Sequence, residues 1–473
     1  MSENMEHDSI FADLSAESGS AAAAFGVESV YRELLSRAPE NKMEPRLDAV
    51  ARAVEILGEP NKAAPVIHIT GTNGKTSTAR MIERILMAHD LRTGRFTSPH
   101  LSSVTERISI DGEPVSDETF VRIWEEIQPY LQMVDAELEA ENNPKITYFE
   151  ALTVLAFAVF ADEPVDVMIL EVGIGGTWDS TNVADAAVSV VTPIGLDHTD
   201  MLGETLEEIA GEKQGIIKDG GFLVSAAQDP AAAQVLLDSA RAHDAQFRFE
   251  GVEFGLADRK PGVGGQMISV KGLADTYTEL PLPLFGAHQA ENAAVAIAAV
   301  EAFLGGGETP LNPELIRSGW EELKSPGRLE IVRNSPTVVV DAAHNPHGIR
   351  ASAEAFKESF AVDEIALVIG VLQEKDARGI FETIREEYLD SVDSGLKLYL
   401  TASTSPRAIA PDELENMALD AGFDEDLLEK HEHLHDAVAA AITSVGNNDQ
   451  AAGAVLITGS ITVVGEARDL LGL

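Results

Sequence analysis

Apolar positions in this chain fall into two alternating kinds of run. Near-continuous stretches of strand length are VIHIT at Val66–Thr70, VDVMILEV at Val165–Val172 and AAVSVVTPI at Ala186–Ile194. A strand apolar at every position is covered on both faces, as in a parallel sheet. Between and after these runs, apolar residues recur every three or four positions at Thr76–His89, Asp117–Leu138, Tyr148–Phe160, Leu206–Ile217 and Gln289–Phe303. That alternation predicts an α/β doubly wound sheet. The Gly-rich, polar stretch Phe247–Leu282 reads as a small β subsection. KSPGRLEIV at Lys324–Val332 breaks the pattern with Pro and Gly. A second alternating set follows, with strands at TVVVDAA, EIALVIGV, LKLYLTAS and AVLITGS and helices between and after them. The boundary is placed near Ser325, giving a larger domain over 26–324 and a smaller one over 325–473. Residues 1–25, acidic and Ala-rich, read as a disordered solvated tail.

Composition narrows the function. The chain has 473 residues, 79 acids against 34 bases, and a net charge of −45. The acidity is spread over both domains, so the field repels nucleic acid and anionic lipid. Any phosphate site must therefore reverse that field locally with Lys, Arg or Mg²⁺. A salt-rich cytoplasm or a demand for solubility would each account for the charge. No run approaches the roughly 18 apolar residues of a membrane span, and the acidic N-terminus does not resemble a signal peptide. Cysteine is absent, which removes thiolate chemistry and fits a cytoplasmic enzyme.

The chemistry sits at the predicted strand ends. VIHITGTNGKTSTARMIERIL at Val66–Leu86 is strand, glycine turn, lysine and helix. Backbone N–H groups of such a turn and the helix N-terminus form a nest for phosphate oxygens. Lys75 can reach the outer phosphates, and the hydroxyl of Thr76 or Ser77 can hold Mg²⁺. The motif is a shortened relative of G-x-x-x-x-G-K-[ST], because Ile69 stands where that pattern has its first glycine; here Gly71 takes the part. Glu171 ends the next apolar strand and is placed to ligate Mg²⁺, directly or through water. Asp197 and His198 end the third, as metal-site candidates or as ordinary loop residues. Lys213 alone reads as a solvated helical lysine. His288 and Asn292, at i and i+4, share a helix face and suit either a base-edge contact or a helix-start network. In the second domain Arg328 could cross the hinge to phosphate, and Asp341 and His344 end a strand on the functional rim.

Together these stretches resemble the folylpolyglutamate synthase/dihydrofolate synthase group of the Mur ligase superfamily. HITGTNGKTS, TSPHL, ERISI, TYFEALTVLAF, EVGIGGTWDSTN, LDHTDMLGETLEEIAGEKQGIIK, GAHQAENAAVAI, SPGRLE, DAAHNPHG and LITGSITVVGEAR stand in the group's order, from about Leu47 to Leu471. The SPHL and ERI pieces, and a lead-in of only roughly 65 residues before the phosphate loop, point away from the peptidoglycan branch. The resemblance implies a Mur-ligase-like fold, with an N-terminal P-loop ATPase-type sheet domain and a smaller Rossmann-like C-terminal domain. It implies ATP held by Thr72, Asn73, Gly74, Lys75, Thr76 and Ser77, with Asn292, Arg328 and Asp341 flanking. Mg²⁺ would be held around Thr76, Ser98, Glu171 and His198. Lys213 matches the lysine that the group carbamylates as a further metal ligand, against the reading of that residue taken alone.

Pro99, His100, Thr147 and the turn Trp178, Asp179 and Ser180 would line the folate or pteroate side. His344, Ser405, Arg407 and Ser460 would neighbour the incoming glutamate. The implied activity is ATP-dependent ligation of L-glutamate to dihydropteroate and to folates through an acyl phosphate, with Lys75, Lys213 and His344 as the catalytic set. Polyglutamylation alone and a peptidoglycan amino-acid ligase are the alternatives. A monomer with small-molecule substrates, and with neither nucleic acid nor membrane as partner, is expected. Two stretches depart from the group: Thr76 stands where its loop has glycine, and Thr177 and Trp178 stand where it has Arg and Leu. The lost charge and the added indole are expected to reshape the pterin pocket.

Overall fold

The computed structural model describes residues 26–39, 45–389, 395–446 and 452–472; the expected tail at 1–25 lies outside them. The chain begins with α1 (26–35), α2 (Asp48–Ile56), β1 (Val66–Thr70), α3 (Lys75–Ala88), β2 (Thr93–Phe96), β3 (Ile108–Ile110) and β4 (Glu113–Pro114). It continues with α4 (Asp117–Ala140), α5 (Tyr148–Asp162), β5 (Val167–Glu171), β6 (Ala186–Val191), α6 (Thr199–Leu202), α7 (Leu206–Lys213), β7 (Phe222–Ser225), α8 (Pro230–Ala242) and β8 (Gln246–Phe249). Among the described residues these strands form one sheet in the order β4-β3-β2-β5-β1-β6-β7-β8. It is parallel from β2 to β8 and antiparallel at its β3 and β4 edge.

The apolar runs take the centre of that sheet because both of its faces are covered. Val66 of β1 faces the core built from α1, α2, α4 and α5, while its neighbours Ile67 and Ile69 face the other core. That second core is closed by α3 and by the next elements: β9 (Gly255–Gly262), β10 (Gly265–Lys271), β11 (Thr276–Leu282), α9 (Ala287–Gly305) and α10 (Pro313–Glu321). Helices α5 and α9 are buried along almost their whole circumference, which is why both are apolar on every side.

A second sheet follows. Its elements are β12 (Glu330–Asn334), β13 (Thr337–Val340), α11 (Pro346–Ser359), β14 (Glu364–Ile369), α12 (Ala377–Ile384), β15 (Gly395–Leu400), α13 (Pro411–Asp420), β16 (Leu428–Lys430), α14 (Leu434–Gly446), β17 (Gly453–Thr458) and α15 (Ile461–Leu470). The order is β12-β13-β17-β14-β15-β16, parallel except for the antiparallel β12–β13 pair.

Two local expectations are corrected, and one helix is added. The β subsection starts at β9, because β8, at Gln246–Phe249, pairs in parallel with β7 and completes the main sheet. Only β9, β10 and β11 form the small antiparallel sheet. The helix expected over Leu206–Ile217 ends at Lys213, and a 3₁₀ turn covers Gln214–Ile216. The Ala-rich α8, capped by Asp229 with Pro230 at its first position, was not read from the pattern.

The main sheet also buries an ion pair. Arg95 of β2 donates from Nε to Glu83 of α3 at 2.7 Å and from its two terminal nitrogens to Thr97 and Ser109 at 3.0 and 2.9 Å. Both charged side chains are almost fully buried. Removing one partner leaves the other charge without compensation. Arg95→Met should therefore cost about 3–5 kcal/mol, while Arg95→Met combined with Glu83→Leu should recover most of the loss. Urea unfolding followed by tryptophan fluorescence checks this, since Trp124, Trp178 and Trp320 all precede the second sheet.

Candidate functional site

The chain changes direction across the sheet around β1: after β1 it runs to β2 on one side, beyond the later β5, and after β5 it crosses to β6 on the other side and continues outward. The carboxyl ends of β1, β5 and β6 open onto a cleft, as expected at such a switch point. The second sheet closes the other wall, and residues from both line a cavity of about 950 Å³.

The phosphate loop leaves β1 at Gly71. A Cβ at Gly71 would lie 1.9 Å from the Thr192 hydroxyl, and one at Gly74, where φ is +89°, 2.5 Å from Asn292. Both positions need glycine because the turn is pressed between the end of β6 and α9. Thr72 exchanges hydrogen bonds with the backbone of Gly195 at 3.0 Å. Lys75 opens α3 and folds back over the loop, donating to the carbonyls of Gly71 and Thr72 at 3.1 and 3.3 Å. Lys213, at the end of α7, donates to the same Gly71 carbonyl at 3.0 Å. It is buried, which corrects the solvated-lysine reading. Burial, then the charge of Lys75, lowers its pKa to about 7. Burial likewise lowers Lys75, with Glu171 and Asp197 opposing.

Thr76 donates its hydroxyl to both Glu171 oxygens at 3.0 Å. Glu171 is buried, which raises its pKa against the pull of Lys75 and the Thr76 bond. Ser77 differs: its hydroxyl lies 3.1 Å from that of Ser325 and 3.3 Å from Gln289. Of the two hydroxyls after Lys75, the one at the carboxylate is therefore Thr76, and Ser77 ties the loop to the hinge. A hydroxyl beside a carboxylate at a phosphate loop fits Mg²⁺, which takes few protein oxygens and completes its shell with phosphate and water. His198 stands on a left-handed residue (φ +49°) and also lines the cleft. Burial and the neighbouring Lys375 lower its pKa to about 3, so its ring is neutral and able to ligate.

The second wall converges on Asp197. Lys375 donates to its Oδ1 at 2.8 Å, Asn345 to its Oδ2 at 3.2 Å, and His344 Nε2 lies 3.6 Å from Oδ2. Burial pushes this carboxyl up, but His344, Lys375 and His198 outweigh it and hold it well below the usual carboxylate range. Asn345 also bonds Asn73 at the loop tip. Arg328, Asn292 and His288 line the same cleft. Asp341 does too, yet its carboxylate is already held by the N–H groups of Leu329 and Ala343, at 2.8 and 3.0 Å.

Ser98 lines the cavity after β2, the neighbour of β5, and from it the loop runs toward the other end, where Pro99 and His100 face the cavity with Tyr31 of α1, Arg107 and Phe149. Arg107 Nε donates to His100 Nδ1 at 2.8 Å, and His100 Nε2 lies 3.5 Å from the Tyr31 hydroxyl. Because arginine can only donate, the ring carries its proton on Nε2. Burial and Arg107 lower the His100 pKa to about 3. The glycines along this loop's partners are also tight: a Cβ at Gly465 of α15 would lie 2.3 Å from the Leu101 carbonyl. The last helix of the second domain thus seats the loop.

Of the other expected site residues, Thr147, Trp178, Asp179, Ser180 and Ser405 stand outside the lining, and Arg407 and Ser460 belong to it. Thr147 caps α5 in a reciprocal pair with Glu150. Asp179 accepts from the N–H groups of Gly173, Ile174 and Thr181, so it shapes the turn after Glu171. Ser180 is buried at the start of a 3₁₀ turn. Trp178 packs into the cluster around α6 and α7, beside Gly175 and near Leu202, both of which line the cleft while its own indole does not. Ser405 closes its own turn with Ala408, while Arg407 reaches the cleft and pairs with Glu374 at 2.5 Å. Ser460 lines the cleft and caps α15 through Val463. Lys375, Asn345, Tyr31 and Phe149 were missed. Lys375 and Asn345 follow β14 and β13, so the strand-end rule applied to the second sheet would have found them.

The chain matches the Mur ligase middle domain over residues 69–300 and the Mur ligase glutamate ligase domain over residues 327–461. It is 42% identical to the dihydrofolate synthase/folylpolyglutamate synthase of Mycobacterium tuberculosis, over 92% of each chain. It is 32% identical to the Escherichia coli protein of that name, over 90% of this chain and 91% of the other. Folylpolyglutamate synthase of M. tuberculosis complexed with ADP and AMPPCP superposes with a TM-score of 0.89 at 39% identity, covering 95% of this chain and 99% of that one. E. coli FolC in complex with DHPP and ADP gives 0.78 at 30% identity, covering 94% and 97%.

Lys75→Ala removes one of two cations from the Gly71 carbonyl and leaves both cores untouched. The melting temperature should stay within about 2 °C, while affinity for a Mg²⁺-nucleoside triphosphate falls by about tenfold or more. Calorimetric titration checks both the affinity and its dependence on Mg²⁺.

Proposed function

The chain belongs to the Mur ligase family, in its dihydrofolate synthase/folylpolyglutamate synthase group, and from that premise we propose how its cleft joins L-glutamate to dihydropteroate and to the γ-glutamyl chain of reduced folates. The enzyme is an ATP-dependent acid–amino-acid ligase that uses Mg²⁺. The observation that carries the reading is the meeting of Lys75, Thr76, Glu171 and Lys213 around one turn of backbone, faced by Asp197, His344 and Lys375. Residues 26–324 hold ATP and the folate, and residues 325–473 supply the glutamate side.

Thr72 to Thr76 cradle the triphosphate, with Asn292 and Arg328 flanking it. Ser77 and Asp341, whose polar atoms are committed to the hinge and to backbone, shape that site. The acceptor lies between Pro99, His100 and Phe149 at one end and the phosphate loop at the other. His100 offers a fixed Nε2–H to an acceptor atom of the pterin. The acceptor carboxylate attacks the γ-phosphorus, ADP leaves, and an acyl phosphate forms. Lys75 neutralises charge that spreads over the transferring group. Thr76 and Glu171, with Ser98 and His198 nearby, are the residues to hold Mg²⁺, which adds electrostatic stabilisation to that transfer. His344, Arg407, Ser460 and Lys375 receive glutamate. Its amino nitrogen bonds to the acyl carbon and the C–O bond to phosphate breaks, the electron pair leaving with phosphate. The nitrogen gives up two protons, one to phosphate and one to solvent. Closing the two domains over the cleft keeps water from the acyl phosphate.

Lys213 is carbamylated in this reading. Two ammonium groups on one carbonyl oxygen repel each other. A pKa of about 7 leaves much of the Lys213 amine neutral and nucleophilic near neutrality. Adding CO₂ to it, with loss of a proton, makes an anion beside Lys75 and turns repulsion into attraction. A monomer with small-molecule substrates is part of the proposal. Among the described residues no helix is long and apolar enough to cross a membrane. A cytoplasmic enzyme, where ATP and reduced folates meet, completes the proposal.

Glutamate incorporation should require ATP and proceed with both dihydropteroate and tetrahydrofolate. Pro99→Ala should lower kcat/KM for dihydropteroate about tenfold more than for tetrahydrofolate. Turnover on tetrahydrofolate alone would reduce the function to polyglutamylation, and turnover on neither would overturn it. With ¹³C-bicarbonate, the wild type should show a carbamate resonance that Lys213→Arg lacks. No such resonance, with full activity in CO₂-free buffer, would leave Lys213 a plain ammonium.

A further inference from the structure

Asp197 is a first-domain carboxylate whose polar contacts come largely from the second domain. Lys375, from the loop after β14, donates to Oδ1 at 2.8 Å, and Asn345, the N-cap of α11, donates to Oδ2 at 3.2 Å. His344 Nε2 stands 3.6 Å from Oδ2. The pair is desolvated, with Lys375 and Asp197 only 10% and 11% exposed. Two separate loops of one domain thus meet on a single side chain of the other. Asp197 is itself fixed to the phosphate loop, because Gly195, two residues before it, exchanges hydrogen bonds with Thr72. Asn345 repeats the link by bonding Asn73. The connection therefore runs from the phosphate loop through Asp197 to His344 and Lys375.

Resting on the ligase reading above, we propose that Asp197 is a positioning residue that couples phosphate transfer to amide formation. It holds Lys375 and His344 at the phosphate loop, where the acyl phosphate forms. An ammonium has three donors, and the Asp197 bond fixes where the others can meet a carboxylate of glutamate. A charge pair formed only when the domains are together also ties their closure to this arrangement. Without it, glutamate is held loosely while the phosphate loop still works. Water then takes the acyl phosphate: water's oxygen bonds to the acyl carbon, phosphate leaves, the acceptor carboxylate is regenerated, and ATP is consumed without product.

The test compares ADP released with amide formed, in the full-length enzyme with tetrahydrofolate as acceptor. Wild type should release one ADP per amide. Asp197→Asn should release several ADP per amide and raise KM for glutamate about tenfold or more, while KM for ATP changes less than about twofold. Lys375→Met should do the same, Lys375→Arg should restore most of the coupling, and the Asp197→Asn/Lys375→Met pair should be no worse than either single variant. Should Asp197→Asn melt early, Lys375→Met carries the measurement alone. Unchanged coupling in both variants, additive losses, or a rise confined to KM for ATP would each overturn the proposal. Amide formation by the wild type keeps the ligase reading intact whatever the variants do; its absence sinks that reading instead.

Discussion

The carbonyl oxygen of Gly71 carries the nitrogens of both Lys75 and Lys213, and this crowding of cations organises the rest of the site. Two ammonium groups drawn out of water to one oxygen are stable only where negative charge is supplied close by or where one of them gives up its charge, as the lowered pKa of Lys213 favours. Glu171 supplies part of that negative charge from β5 and Asp197 part from the β6 end. Triphosphate oxygens supply the remainder. A chain of net charge −45 thereby concentrates basic side chains, among them Lys75, Arg328 and Lys375, along the cleft that meets an anionic substrate. The overall field governs solubility and distant partners, and these side chains oppose it over the few ångströms where chemistry occurs.

That local arrangement depends on packing some distance away. The loop keeps its shape because Thr192 and Asn292 fill the space that side chains at Gly71 and Gly74 would take. Glu171 stays at Thr76 because β5 is buried on both faces and cannot slip register. The pterin end is organised in the same manner. Glu106 accepts the N–H groups of Leu101, Ser102 and Ser103, while Arg107 sets the tautomer of His100. The neighbouring ERI and SPHL stretches are therefore one device, with the first shaping the loop that the second presents.

The two domains communicate through few polar contacts, and these fall at the ends and the middle of the cleft. Arg259 of the small antiparallel sheet pairs with Glu358 of α11 at one end. Ser102 meets Asp469 at the other. Between them lies the Asp197 cluster. Contacts so distributed leave the cavity between them open while fixing the facing loops against each other.

Sequence by itself determined the parallel core, the phosphate loop and the strand-end carboxylate. Each is written in local chemistry: continuous apolar runs, glycines before a lysine, and an acid closing an apolar strand. It also carried the ordered motifs by which the family was read. Tertiary structure decided what those residues do with their atoms. Lys213 sits in an amphipathic helix pattern, and only the fold shows its amine buried on Gly71. Thr76 and Ser77 are adjacent hydroxyls, and the approach of β5 on one side and the hinge on the other assigns them different partners. Asp179 and Thr147 look like binding residues but spend their oxygens on backbone N–H groups of their own turns. Tyr31 and Lys375 are distant from the phosphate loop in sequence and reach the cleft because α1 and the second sheet fold over it. Local pattern specifies which face of an element is apolar, but the meeting of side chains from different elements is a property of packing, which no single segment encodes.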